Sequence, residues 1–195
     1  MFWKRKARWI CCGSLVGVTL YVLFCWFEHH QAINLTEAFA KSLNEEVIQV
    51  ASLPQPISPF RWADYVETRD KVYQGFVDLL REERPQSIPN PSSFFEKLSG
   101  LYDPPGKIRY RSWEKNQNSP WVKRALTTER VKFYYWFARF PVVKSVNSGD
   151  GIHRVEFMDI RFLLPGIRTP FVYYVEMDDF GKIQSEGFVG DRKGT

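Results

Sequence analysis

The residues from Trp9 to Phe27, WICCGSLVGVTLYVLFCWF, carry no charge, and this run constrains the chain more than any other feature. As a helix rising 1.5 Å per residue it is about 28 Å long, enough to cross the hydrocarbon core of a bilayer. Trp9, Trp26 and Phe27 stand at its ends, where aromatic rings favour the membrane–water interface. Lys4, Arg5, Lys6 and Arg8 precede it and no basic residue follows closely. The positive-inside bias then makes 1–8 a cytoplasmic arm and 9–27 the one span of a single-pass protein of the cell membrane. The C-terminal domain falls on the extracytoplasmic side. A cleaved signal peptide would need small residues just after the apolar core. Trp26, Phe27, Glu28, His29 and His30 stand there instead, so the reading is an uncleaved anchor. Gly13 and Gly17 are four apart on the span and form a GxxxG face, the pattern of a helix homodimer. Plain lipid-facing helix is the alternative.

Charge and cysteine content narrow the rest. The chain holds 27 Lys and Arg against 22 Asp and Glu, and much of the excess lies in the N-terminal arm. The folded part is close to balance, which argues against a nucleic-acid partner. Cys11, Cys12 and Cys25 all lie inside the apolar run. A disulfide framework and a Cys-based zinc site are therefore excluded from the domain.

Beyond the span, Leu35, Phe39, Leu43 and Val47 recur every four residues and predict an amphipathic helix over 35–49. Asn34-Leu35-Thr36 reads as its start, though the letters also spell a glycosylation sequon. Residues 28–52 are thus expected to be a helical connection, and 53–195 a β-rich domain. Leu53 to Trp62 holds three prolines, which forbid helix and set an extended course. A strand is expected over 71–80, a polar connection over 81–92 and a short helix over 93–101. A further strand is expected over 107–113. Ser119-Pro120 opens a helix that runs to about Phe140, with a break near Thr127-Thr128. Two hairpins follow, turning at 148–151 and 178–181, with strands over 142–146, 152–162, 171–177 and 182–189. The fold class is α+β: one transmembrane helix, then a domain with an antiparallel sheet and a few helices.

Chemistry-bearing residues are sparse. The histidines are His29, His30 and His153, and no HExxH, GxSxG, Walker A or GxGxxG sequence occurs. Asp178-Asp179-Phe180-Gly181 spells a kinase triplet without the rest of the kinase signature, and reads as a turn. Glu156 and Asp159 lie on one strand among Arg154 and Arg161. With Arg139 and His153 they form the candidate polar cluster: Arg139, His153, Glu156, Asp159, Arg161. The competing reading is a set of ion pairs that hold the sheet. The aromatic run Phe133 to Phe137 is too wide for one helix face, and suggests an apolar surface or a helix buried on two sides.

Three blocks together resemble the C-terminal part of the membrane-bound metal-dependent hydrolase family (YdjM/YfhP-like proteins). They are Leu53-Pro54-Gln55-Pro56-Ile57-Ser58-Pro59-Phe60-Arg61-Trp62, then Phe137-Ala138-Arg139-Phe140-Pro141-Val142-Val143, then Phe157-Met158-Asp159-Ile160-Arg161-Phe162 with the Asp-Asp-Phe-Gly turn after it. The resemblance implies an extramembrane domain that follows a last span. The family's N-terminal His motifs, its presumed metal site, have no counterpart here, so no catalytic or metal-binding residue carries over. The first reading is therefore a membrane-anchored C-terminal domain of such a hydrolase, non-catalytic by itself. It needs no cofactor of its own; a divalent metal enters only if a polytopic membrane partner with the His motifs supplies the site. The alternative is an independent single-pass protein whose β-rich domain binds a lipid, an envelope component or a protein partner. A third reading pairs His153 with Asp159 or Glu156 in a hydrolase.

Overall fold

In a computed structural model of the chain, residues 2–56, 58–83, 93–116, 118–163 and 168–190 are described. Ile57, Gly166 and most of the expected 81–92 connection lie outside the described residues. The first element, α1 (Phe2–Ser42), is one unbroken helix. Its stretch from Trp9 onward is long and apolar enough to cross a membrane, and no residue of the apolar window is buried. Gly13 and Gly17 face open space.

The rest of the chain builds two antiparallel sheets, each a simple meander of four strands. The first holds β1 (Val47–Pro54), β2 (Arg61–Thr68), β3 (Lys71–Asp78) and β4 (Arg111–Glu114). The second holds β5 (Pro141–Gly149), β6 (Ile152–Asp159), β7 (Tyr173–Asp178) and β8 (Ile183–Phe188). Helix α2 (Phe94–Ser99) lies between β3 and β4, and α3 (Pro120–Leu126) and α4 (Glu129–Phe137) link the two sheets. The arrangement is α+β, as the sequence predicts. It has two sheets where the pattern over 107–189 suggests one, because β4 pairs back onto β3.

Strand alternation decides how the layers stack. On β2, Trp62 and Asp64 face α1, and Trp62 packs in a buried cluster with Ala32 and Val77. Ala63 and Tyr65 face the other way, into a core shared with Phe140, Val142 and Met158 of the second half. The Tyr65 ring stacks on Phe140 at 4.6 Å between centroids. Val155 and Phe157 of β6 point to the opposite face, where Val122, Ala125, Val131 and Tyr134 of α3 and α4 cover them. The Gln74 amide donates to Tyr65 Oη (3.3 Å) and to the carbonyl of Ile160 (3.1 Å), tying the sheets together.

Several boundaries differ from expectation, each for a local reason. The helix expected over 35–49 ends at Ser42, and residues from Val47 onward form β1. Ile48 and Val50 alternate as strand residues do, and pairing with β2 outweighs the four-residue repeat. The connection at 28–52 is therefore helical only in its first part. The strand expected over 107–113 starts at Arg111, since Pro105–Lys107 is a 3-10 turn. Asp103 holds that bend by accepting from the Arg109 backbone N–H at 2.9 Å and from its Nε at 2.8 Å. The strand expected to reach Phe162 stops at Asp159, where the chain turns into 3-10 geometry. The helix break expected at Thr127-Thr128 is present, and the Thr128 hydroxyl caps α4 by accepting from Val131 N.

Gly75 on β3 lies opposite Asp64. A Cβ there would stand 2.8 Å from Ile108 Cγ2 and 2.9 Å from the Tyr110 ring. The other face of that ring stacks on Phe39 of α1, 3.6 Å away and nearly parallel. Gly75→Val should therefore push Tyr110 off its seat and loosen the domain from α1. The expected cost is about 1–3 kcal/mol, read as a fall in the thermal midpoint of the full chain in detergent. An unchanged midpoint would mean that the Tyr110 cover is not packed tightly.

Candidate functional site

The five residues of the expected polar cluster are not one site. They separate into three places. His153 sits at the far end of β6 and bridges two hairpin turns. One ring nitrogen meets Ser148 Oγ at 2.7 Å and the other meets Asp179 Oδ1 at 2.8 Å. The imidazole lies flat on Trp121, 3.5 Å away. Ser, His and Asp are thus in the contact order of a hydrolytic triad, with partners the sequence did not suggest. The setting argues against that chemistry. The Asp179 side chain is 66% exposed and Ser148 lies on an exposed strand end. A solvated carboxylate and serine lose the low-dielectric preorganisation on which such a triad depends. The trio acts as a clasp between the turns.

Glu156 lies on the other face of β6. It accepts from Lys144 Nζ at 2.7 Å and from Arg154 Nε at 2.9 Å, and Arg154 reaches Glu176 at 2.7 Å. These cations hold the Glu156 carboxyl below the usual range against the opposing effect of burial, which is the largest single influence. The Arg154 guanidinium also lies 4.1 Å over the Tyr174 ring. Every charge in this row is matched, as in an ion-pair lattice on a sheet face.

Asp159, Arg139 and Arg161 form the third place. Asp159 is buried and accepts from the backbone N–H groups of Arg139 and Arg161, both at 3.0 Å, and from Arg161 Nε at 2.8 Å. It is the pin of the corner where β6 ends. Both ring nitrogens of His153 are engaged by Ser148 and Asp179, so the pairing with Asp159 or Glu156 in the third sequence reading is not formed.

Just past the apolar run of α1, His29 packs on Trp62 with 5.2 Å between ring centroids, and His30 Nδ1 turns back to the Trp26 carbonyl at 3.1 Å. Among the described residues, no three of His, Cys, Asp and Glu come together in a group that could hold a metal ion.

Two places were not singled out from the sequence. The first is a groove of about 1080 Å³ between α4 and the β7–β8 edge. Phe133, Tyr134, Phe137, Phe171, Tyr173 and Phe188 supply its aromatic walls. Its volume is slightly above the ~300–1,000 Å³ common for small-molecule sites. Tyr173 and Glu186 also line it; Tyr173 Oη and Glu186 Oε2 are buried without a hydrogen bond of good geometry, and the two side chains are close enough to act on each other. The other Glu186 oxygen is 3.6 Å from Arg130 Nε. Burial first, and then the Glu186 charge, push the Tyr173 hydroxyl up to about 12, so it stays protonated and able to donate. Trp136, 79% exposed, and Phe133, 65% exposed, extend the apolar surface outward. The aromatic run hinted at this surface. The polar pair did not show in the sequence, because Tyr173 and Glu186 come from different strands and meet only through the β7–β8 pairing.

The second is Asp64, fully buried under α1 without a cationic partner. Ser52 donates to its Oδ1 at 2.5 Å, and Tyr110 Oη is 3.5 Å from Oδ2. Burial raises the carboxyl to about 6, although the Ser52, Thr36 and Tyr110 hydroxyls pull it back.

Comparison with models of known families, with curated proteins and with solved structures finds no match for the chain.

Proposed function

We propose that this chain is a membrane-anchored binding domain with no catalytic centre of its own, and that its groove takes a neutral amphiphile. The observation that carries the reading is the aromatic groove itself, lined also by Tyr173 and Glu186, whose oxygens Tyr173 Oη and Glu186 Oε2 have no hydrogen bond of good geometry within the chain. A poorly paired buried polar atom costs up to about 1–3 kcal/mol, so a ligand that displaces the weak Tyr173–Glu186 contact and satisfies both groups gains part of it back. A ligand hydroxyl fits: it donates to Glu186 and accepts from Tyr173 while its alkyl chain lies along the rings. A carboxylate or phosphate would meet the Glu186 charge instead.

The test is native mass spectrometry of the full chain released from detergent with 1-monooleoylglycerol. The expected result is a single bound lipid. Phe133→Arg, at an exposed position, should abolish it. Glu186→Leu should weaken it about tenfold, the value of one hydrogen bond of ~1.4 kcal/mol. Equal binding by the wild type and both variants, or no binding at all, would sink the reading.

The resemblance to YdjM/YfhP-like hydrolases supports a narrower form. In it the chain is the C-terminal domain of such an enzyme, and a polytopic partner brings the His motifs and the divalent metal. The N-terminus is cytoplasmic and the domain extracytoplasmic. The chain purified alone should then contain only substoichiometric transition metal and show no metal-dependent hydrolysis. A stoichiometric metal that is lost in His153→Ala would place a catalytic centre in this chain.

A further inference from the structure

We infer that the tip between β1 and β2, together with Leu80, is a second membrane contact that enters the interface beside the span. The depth follows from how the first sheet lies on α1. Strands of eight residues at ~3.3 Å each are about 26 Å long, close to the length of eighteen helical residues at 1.5 Å. The contacts match this length along the helix. Phe60, at the tip, meets Phe24 with 5.5 Å between ring centroids. Trp62 meets His29 at 5.2 Å, and Tyr73 meets Phe39 at 5.6 Å. Tyr73 Oη also donates to Glu45 at 2.8 Å beyond the helix end. The sheet therefore runs alongside the helix, with Phe60 at one end and the turn at Arg69-Asp70 at the other.

Phe24 lies inside the charge-free run, three residues before its end. If that run crosses a bilayer, the Phe60 ring is held about 4.5 Å inside the run's end by the helical rise. The chemistry of the tip suits that depth. Pro54, Pro56 and Pro59 offer no backbone N–H to strand in an apolar medium. Leu80 stands beside Phe60, since Leu79 N donates to the Phe60 carbonyl at 2.9 Å, and its side chain is 67% exposed. The nearest cations are tied back into the protein. Arg61 Nε bonds Asp78 at 3.0 Å, and Arg81 donates to the carbonyls of Ser99 and Tyr102. Leu80 is exposed beside a tip that meets the span at Phe24, and Trp26 and Phe27 of the span are exposed as well, so the occupant of this surface is the lipid bilayer itself.

The test uses the full chain with Cys11, Cys12 and Cys25 changed to Ala, placed in phosphatidylcholine–phosphatidylglycerol nanodiscs. Single cysteines at Pro56, Leu80, Val18 and Arg69 carry a nitroxide, and relaxation by oxygen is compared with relaxation by a water-soluble nickel chelate. Val18 reports the span and Arg69 the opposite end of the sheet. The oxygen-to-nickel ratio at Pro56 and Leu80 should be severalfold that at Arg69 and approach that at Val18. Ratios at Pro56 and Leu80 equal to Arg69, with Val18 in lipid, would overturn the tip contact alone. An aqueous Val18 would overturn the span as well, and the tip contact with it.

Discussion

Asp159→Ala should cost the folded domain about 3 kcal/mol, toward the lower end of what breaking a buried ion pair costs. The carboxylate is 1% exposed, and it satisfies two backbone N–H groups and the Arg161 guanidinium. Its removal leaves the Arg139 N–H without its acceptor at a corner where little water reaches. Arg161 is about a quarter exposed, so it recovers some hydration, and this holds the cost down. Asp159→Asn keeps one oxygen acceptor and should lose less. Urea unfolding of the full chain in detergent, followed by tryptophan fluorescence, reads both. A change under 1 kcal/mol in Asp159→Ala would mean that the corner is held by Phe140 and Ile160 packing rather than by the carboxylate. The location gives the loss a wider reach. Arg139 lines a small cavity with His29, Ile33 and Trp62, so the corner pinned by Asp159 is also where the second half of the chain meets α1.

The parts of the fold that were legible in the sequence are those decided by short-range chemistry. The uncharged run from Trp9 needs no tertiary partner to be helical. The hairpin turns need left-handed backbone, and Asp150, Gly151 and Gly181 supply it with φ of 52, 73 and 75°. Ser119-Pro120 opens α3 as the sequence suggests, although the Ser119 side chain makes no capping bond, whereas Ser93 and Thr128 do cap their helices. The end of α1 was not legible, because Leu43 and Val47 continue its repeat while Ile48 and Val50 already alternate for β1. Local pattern cannot choose between the two; pairing with β2 does. The polar cluster failed for a related reason. Residues close in sequence on β6 alternate between faces, and each charge found partners from other strands. Lys144 came to Glu156, Glu176 to Arg154, and Ser148 and Asp179 to His153. Asp64 was overlooked within a run of buried residues because nothing in Trp62 to Val66 shows that α1 will lie over it.

That covered carboxyl gives the second large effect: Asp64→Asn should raise stability at neutral pH, and the gain should vanish in acid. The unfolded carboxyl has its ordinary value of 3.8, while the folded one is raised to about 6. Between these values the folded state keeps a proton that the unfolded state has released. Stability from this group is therefore highest below pH 4, falls as pH rises from 4 to 6, and stays low above that window. The difference of roughly two pH units corresponds to about 3 kcal/mol. Asn retains an oxygen for the Ser52 hydroxyl and a donor for Tyr110, but carries no charge to bury. At pH 8 the variant should melt roughly 6–12 °C above the wild type, for a chain of this size. At pH 4 the two midpoints should converge. Comparing variant with wild type cancels the other carboxylates, which titrate in both. A constant offset across pH 4–8 would show that Asp64 is charged at no cost, with water reaching it between α1 and the sheet. Convergence in acid would show that the helix and the sheet grip each other through a group that holds its proton at mildly acidic pH. The same contact sets the sheet's position along α1, because Thr36 and Ser52 approach Asp64 from the helix and from β1.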